Sequence, residues 1–245
     1  MMFGSLTFII VISFTATVFC DLSPEYVKQC SRSDPNLKSC LIDALHHLRP
    51  YLSAGIPEIE LPSVEPFRMD ELTLSLTGGI NGYKVQLREL FVRGASNYTV
   101  EDIKLGSPFE AIVRMPALIL DAHYSSSGIL IILPASGNGT FHARFGDLRA
   151  LVRGTVPTKV KDGKTYLNVE NLDVDLAVKD VNMRVRKIFN NNRILTEATN
   201  LFLRENGQEV LKAMEPQLKR KLSKLFAGIV NQLLRNVPVE TFLLP

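Results

Sequence analysis

The sequence predicts an α+β chain in which a strongly curved antiparallel sheet wraps around one long C-terminal helix, with a further helix near the N-terminus. Three observations predict it. Apolar residues between Leu72 and Val185 recur mainly at period 2, the spacing of half-buried strands. From Leu195 onward the spacing changes to the 3.6 period of a helix. A shorter stripe of helical spacing, Leu37, Leu41, Leu45 and Leu48, comes first. With 245 residues, 46% of them hydrophobic and 22% charged, the chain has the composition of an ordinary folded globule. Its net charge of +3 (28 basic, 25 acidic) is too small to argue for a nucleic-acid partner.

Residues 1–20, MMFGSLTFIIVISFTATVFC, carry no charged side chain and read as a secretory signal peptide cleaved near Cys20–Asp21. The rival, an uncleaved anchor, is disfavoured because the run is short for a span and no basic cluster follows it. Residues 21–245 are then one secreted, extracellular domain. In that setting Cys30 and Cys40 should bridge each other. The loop is short, so the bridge is worth about 3 kcal/mol at most. With no His between them the two cysteines make a poor zinc site. The triplets Asn97-Tyr98-Thr99 and Asn138-Gly139-Thr140 are glycosylation acceptors in turn-like stretches.

Element by element, Asp34-Pro35 reads as an N-cap followed by a first helical proline, opening a helix that Gly55 and Pro57 end. Pro57, Pro62 and Pro66 mark an extended connector. Strand-like runs follow at Leu72–Leu76, Tyr83–Leu87, Ile103–Leu105, Ala111–Met115, Leu118–Tyr124, Ile129–Leu133, Phe141–Phe145, Leu148–Val152, Leu167–Val169, Leu172–Val178 and Val181–Val185. Gly78-Gly79, Asn81-Gly82 and Asp162-Gly163 are turn signals, the last a hairpin tip. In the C-terminal helix, Leu211, Met214, Leu218, Leu222, Leu225, Ile229 and Leu233 form the stripe, widened by Phe226, Val230 and Leu234. Thr196 suits its N-terminus, Gly207 is a candidate break, and Pro216 should kink or start the main helix. Lys219, Arg220, Lys221 and Lys224 read either as a solvated face whose stems cover apolar surface or as a contact for an anionic membrane; the wide apolar stripe favours the first.

No enzyme motif stands out. There is no G-x-S-x-G elbow, no phosphate loop, no H-E-x-x-H and no C-x-x-C. Asp173, Asp175 and Asp180 fail the calcium-loop pattern, with Arg184 where its bidentate acid belongs. His46 and His47 diverge on a helix, and His123 and His142 lie in strands, so each reads as a surface or rim residue. No cofactor and no metal is expected. A sheet of eight or more twisted strands curls or closes, and one helix cannot fill its inside to interior density. An apolar space between the two is the expected ligand site.

The order of motifs then resembles the insect takeout and juvenile-hormone-binding family. The resemblance rests on Cys30 with Cys40-Leu41, Gly55-Ile56-Pro57-Glu58-Ile59 with Leu61-Pro62 and Pro66-Phe67, Asn200-Leu201-Phe202-Leu203 with Glu205-Asn206, and the tail Val237-Pro238-Val239-Glu240-Thr241-Phe242-Leu243-Leu244-Pro245. It implies a tubular lipid-binding fold, an internal tunnel for terpenoid hormones, fatty acids or similar long apolar molecules, secretion, no catalysis, and roles in circadian, feeding or behavioural signalling. A single cysteine pair, where hormone carriers of the family hold two bridges, places the chain nearer the takeout-like members. Gly207 stands where the family often has Trp. The expected lining is Leu41, Leu45, Leu48, Leu218, Leu222, Phe226 and Ile229 from the helices, with Val113, Met115, Tyr124, Phe141 and Phe145 from the sheet. The expected protein is a monomeric carrier. Its rivals are a membrane-surface lipid-transfer protein using Lys219–Lys224, and an extracellular interaction module with a plugged cavity.

Overall fold

A computed structural model describes residues 23–76, 82–130, 133–134, 136–186 and 193–245. The leader expected at 1–20 and the turn residues Gly78, Gly79 and Asn81 lie outside them. In chain order the elements are β1 (Cys30–Ser31), α1 (Leu37–His47), α2 (Arg49–Ala54), β2 (Phe67–Leu76), β3 (Tyr83–Arg93), β4 (Thr99–Lys104), β5 (Phe109–Ser127), β6 (Ile129–Leu130), β7 (Leu133–Pro134) and β8 (Gly137–Thr155). They continue with β9 (Thr158–Lys161), β10 (Lys164–Leu167), β11 (Glu170–Arg186), α3 (Arg193–Glu205), α4 (Gly207–Asn236), α5 (Val239–Phe242) and β12 (Leu243–Leu244). The main sheet runs β11-β8-β5-β3-β2, with β4 also paired to β5, and every pairing in it is antiparallel.

Several short runs of the sequence fuse into long strands. β5 and β8 are 19 residues each, about 60 Å of chain at the usual rise. The alternation changes phase inside them. On β8, Phe145 packs against the inner core and Leu148 is buried, with Asp147 at φ 49° between them. Asp147 turns outward to accept a hydrogen bond from Arg114 Nε at 2.8 Å. One left-handed residue resets the alternation, so apolar residues three apart both face inward. β3 repeats the device, with Leu87 and Leu90 buried around Glu89 at φ 50°. On the neighbours of β8 the phase changes at the same level. Met115 and Val178 pair with Leu148, while Leu118 and Val181 pair with Phe145.

The helices also depart from expectation. α1 starts at Leu37, because the Asp34 carboxylate accepts from Asn36 N at 2.7 Å and closes a turn ahead of it. Pro50 divides the expected single helix, and α2 ends at Gly55, whose φ of 88° suits a residue without a side chain. Thr196 lies inside α3 rather than before it. The break near Gly207 is present, as Asn206 separates α3 from α4. Pro216 lies inside α4 rather than starting it. It is exposed, as is Lys212 four residues earlier, so the carbonyl left without its donor can be met by water. The Asp162-Gly163 hairpin forms as read, joining β9 to β10.

The long helix α4 closes the gap between the two free edges of the sheet, β2 and β11. Amide side chains make the closure. Gln217 Oε1 accepts from Ser75 N at 2.8 Å while its Nε2 donates to Ser75 O on β2. Asn231 does the same to Val169 N and O beside β11, and Asn200 of α3 to Val185 N and O on it. Gln208 donates to Val178 O and Lys179 O. Gln217, Asn231 and Asn200 each supply the donor and acceptor that a further strand would supply, so neither edge is left open there. The tail is tied to the N-terminal arm. β12 pairs with β1, Gln29 Nε2 donates to Thr241 O, and Val237 and Val239 are buried. The Cys30–Cys40 disulfide holds that arm to α1.

Candidate functional site

The interior has two packed ends. At one end Leu72, Leu74, Tyr83, Val85, Leu87, Leu90, Ala122, Tyr124, Ala143, Met183, Val185, Leu203 and Val210 form a core, with Met214 and Leu218 of α4 against it. At the other, Tyr26, Ile56, Ile59, Leu61 and Val237 form a second core, packed by Leu48, Tyr51, Leu52, Ile229 and Leu233. The Gly-Ile-Pro-Glu-Ile motif is thus an end plug, fastened by Gln232 Nε2 to Ile59 O at 2.7 Å.

Between the ends, the apolar stripe of α4 continues through Leu222, Leu225 and Phe226, which belong to neither core and are half-buried. Val113, Met115 and Leu118 of β5 are half-buried in the same way. Along α4 only Gly207, Val210 and Ser223 are fully buried among the described residues. Beside them Leu148 of β8 and Val174 of β11 are fully buried, so this stretch sets buried sheet residues against half-buried ones on α4 and β5.

Within the first core lies a cavity of about 80 Å³. Leu74, Tyr83, Val85, Leu87, Tyr124, Phe141, Met183, Val185, Leu203, Val210 and Met214 line it, together with Ser126, Ser136, Gly137 and Thr199. Its walls are apolar except for a few hydroxyls. Burial pushes the Tyr124 phenol up to about 12, reinforced by neighbouring Tyr83, and burial raises Tyr83 too. Both stay protonated at neutral pH and can each donate a hydrogen bond to a ligand oxygen.

Of the residues expected to line the interior, Tyr124 and Phe141 line this cavity together. Phe145 and Leu218 pack against the core around it. Val113, Met115, Leu222 and Phe226 are half-buried outside both cores. Leu48 and Ile229 join the far core. Leu41 is half-buried and Leu45 exposed on α1, which packs against β4; neither lines the cavity. The sequence reading missed Met183, Val185, Leu203, Val210 and Met214 as lining. Met183 and Val185 alternate with Arg184 and Arg186, the signal that could have placed them. Leu203 and Val210 come from the end of α3 and the start of α4, where the break at Asn206 hides the helical stripe.

Lys219 is tied to Asp173 at 3.1 Å and Asp175 at 2.5 Å, and Arg153 meets the same two carboxylates. Asp173 and Asp175 are therefore ion-pair partners in a strand. Among the described residues no group of three acids, histidines or cysteines could hold a metal. Arg220, Lys221 and Lys224 are exposed on the solvent side of α4. His46 Nε2 accepts from Val100 N at 2.8 Å, a part-buried contact rather than a rim position. His47 bonds Glu25 O, His142 Nδ1 lies 2.8 Å from Asp121, and His123 lies 3.5 Å from Glu89. Asn97 is exposed at the end of a 3-10 turn, but Asn138 lies exposed within β8, in a strand rather than the turn expected. Gly207 leaves no space for a ring. A β-carbon there would sit 3.1 Å from Val181 Cγ1, so α4 begins directly against β11.

A long helix seated in the seam of a curved antiparallel sheet, with an apolar interior, defines the tubular lipid-binding class of folds. The chain belongs to the haemolymph juvenile hormone binding protein (JHBP) family, whose sequence profile matches residues 8–244. It is 24% identical to the circadian clock-controlled protein daywake of Drosophila melanogaster over 98% of this chain and 97% of that one. It is 23% identical to a putative beta-carotene-binding protein of Schistocerca gregaria over 80% of this chain and 79% of that one. Among solved structures, Takeout 1 of Epiphyas postvittana superposes with a TM-score of 0.79 at 20% identity, covering 89% of this chain and all of that one.

Proposed function

We propose that this protein is a secreted, non-enzymatic carrier that holds a long apolar molecule, such as a terpenoid, fatty acid or similar lipid, along its interior. The observation that carries the reading is the apolar, hydroxyl-edged cavity, with half-buried apolar residues of α4 and β5 beyond it. The cavity of about 80 Å³ is below the roughly 300–1,000 Å³ of drug-sized sites. It accepts one end of a chain molecule, with the rest lying along Leu222, Phe226, Val113 and Met115. Tyr83 and Tyr124 then meet a terminal oxygen of that end. Burying about 400 Å² of ligand gives a gross gain near 10 kcal/mol, reduced by ordering to micromolar or tighter affinity. The family's name and that of the locust relative point to the same ligand class. The Cys30–Cys40 bridge and the apolar leader sequence support an extracellular setting.

Native mass spectrometry of the protein secreted from insect cells, followed by organic extraction, tests the reading. A releasable apolar molecule is expected, as is uptake of a fluorescent hydrophobic probe that farnesoid esters or fatty acids displace. Absence of both overturns the carrier.

A further inference from the structure

The apolar cavity opens a second question, namely where a water-insoluble cargo enters. At the cavity end of the tube, β11 alternates two classes of residue. Met183 and Val185 face the cavity, while Arg184 and Arg186 face out. Arg184 and Arg186 share an exterior groove of about 320 Å³ with Arg204 and Asn200 of α3. On the other side they border a groove of about 400 Å³ whose acids, Asp121 and Glu89, are already engaged. Asp121 is held by Arg93 and His142, and Glu89 faces His123. Among the described residues no carboxylate is paired with Arg184, Arg186 or Arg204, so three guanidinium groups stand beside the cavity without counter-charge.

The neighbouring surface is apolar where surface helices are normally polar. On α3, Ile194 is 79% exposed and Leu201 44%, one face apart by two turns, and Leu195 is 43% exposed. The acid on this helix nearest them, Glu197, is occupied by Arg193 at 2.9 Å. Ile129, 43% exposed, opens the short β6–β7 hairpin joining β5 to β8 at this same end. Exposed aliphatics bordered by free arginines match an anionic bilayer, in which side chains enter the acyl boundary and guanidinium groups meet lipid phosphates and carboxylates. We infer that the α3 end of the tube docks on anionic lipid membranes, placing the Met183–Val185 side of the cavity next to the bilayer from which cargo is taken or to which it is given. The four-residue basic cluster of α4 is not that surface. Lys219 is consumed by Asp173 and Asp175, and the face with Arg220 and Lys224 shows no exposed large aliphatic among the described residues.

Co-sedimentation of the secreted chain with vesicles tests this. Phosphatidylcholine vesicles containing phosphatidylserine should bind it, pure phosphatidylcholine vesicles much less, and added salt should weaken the binding. Replacing Arg184→Gln with Arg186→Gln should lower the partition about 30-fold, two charges at the usual factor per residue. Ile194→Ser with Leu201→Ser should lower it while leaving the charge intact. Arg220→Gln with Lys224→Gln should leave it unchanged. Equal loss in the α4 variant overturns the assignment. Failure of the native protein to bind either vesicle also overturns it and gives the face to a protein partner. Probe uptake, followed in parallel, is expected to survive in all three variants, which reports on the carrier reading separately and shows that each variant folds.

Discussion

At the scale of single residues, two groups have consequences that a measurement reads directly. His46 accepts a backbone hydrogen bond from Val100 through Nε2, so that nitrogen must be unprotonated. Burial, then the charge of Arg49, holds its pKa below the usual value of 6.5, against a smaller opposing effect of Asp43. The folded state thus binds fewer protons than the unfolded one. The contribution is complete above about pH 6.5 and is lost as pH falls through the folded value. Urea midpoints at about pH 7 and pH 5 should therefore fall for the native protein and fall less for His46→Gln, whose amide can accept the same bond without titrating. Carboxylates lowered by partners, such as Asp121 beside His142, titrate in a lower window below about pH 4 and do not confuse the comparison. Tyr124 gives the second measurement. Tyr124→Phe keeps the apolar wall and removes one hydroxyl, so binding of a ligand with a terminal oxygen should weaken about 5- to 10-fold, one hydrogen bond's worth. A purely hydrocarbon probe should bind as before. Equal effects on both would place the hydroxyl outside the contact.

At the scale of elements, side-chain amides close the tube and one disulfide ties the N-terminal arm to α1. Gln217→Leu leaves Ser75 N and O without partners at a part-buried edge and should lower stability by about 2 kcal/mol. Gln217→Glu should be worse, because a carboxylate can accept from Ser75 N but faces Ser75 O with no hydrogen to donate. Faster amide exchange at Ser75 in both variants would tie the loss to the seam. Changing Cys30 and Cys40 to serine should remove at most about 3 kcal/mol, the entropy of a short closed loop. Such elements were unevenly legible in the sequence. Strand and helix identities follow from the period of the apolar residues, and the Asp162-Gly163 tip follows from turn chemistry. Strand lengths do not. Phe145 and Leu148, or Leu87 and Leu90, look like a broken alternation because a left-handed Asp147 or Glu89 sits between them, and only the fold shows that residue absorbing the change of phase. The amide seam was equally hidden. Gln217 and Asn231 read as ordinary members of a polar helix face, since hydropathy carries no information about an unpaired strand edge in front of them.

At the scale of the whole molecule, apolar residues are fully buried in the two cores and half-buried along part of α4 and β5, and that contrast divides the effects of adding bulk. Val210 is 1% exposed inside the first core. Val210→Phe must force its neighbours apart and should destabilise the protein by about 1–3 kcal/mol. It should also close the cavity, since Val210 is one of its walls. Val113 occupies the mid-section, half-buried and outside both cores. In the proposed carrier Val113 borders the ligand's path, so Val113→Phe should extend into that path and obstruct it along Leu222 and Phe226 while leaving the thermal midpoint level. Probe affinity and Tm measured together separate the two cases. Loss of affinity with undiminished Tm at position 113, beside loss of both at position 210, is the signature of a container whose walls are fixed by its ends. A drop in Tm at both positions would mean the middle is packed as densely as the ends, and no space would remain there for a cargo.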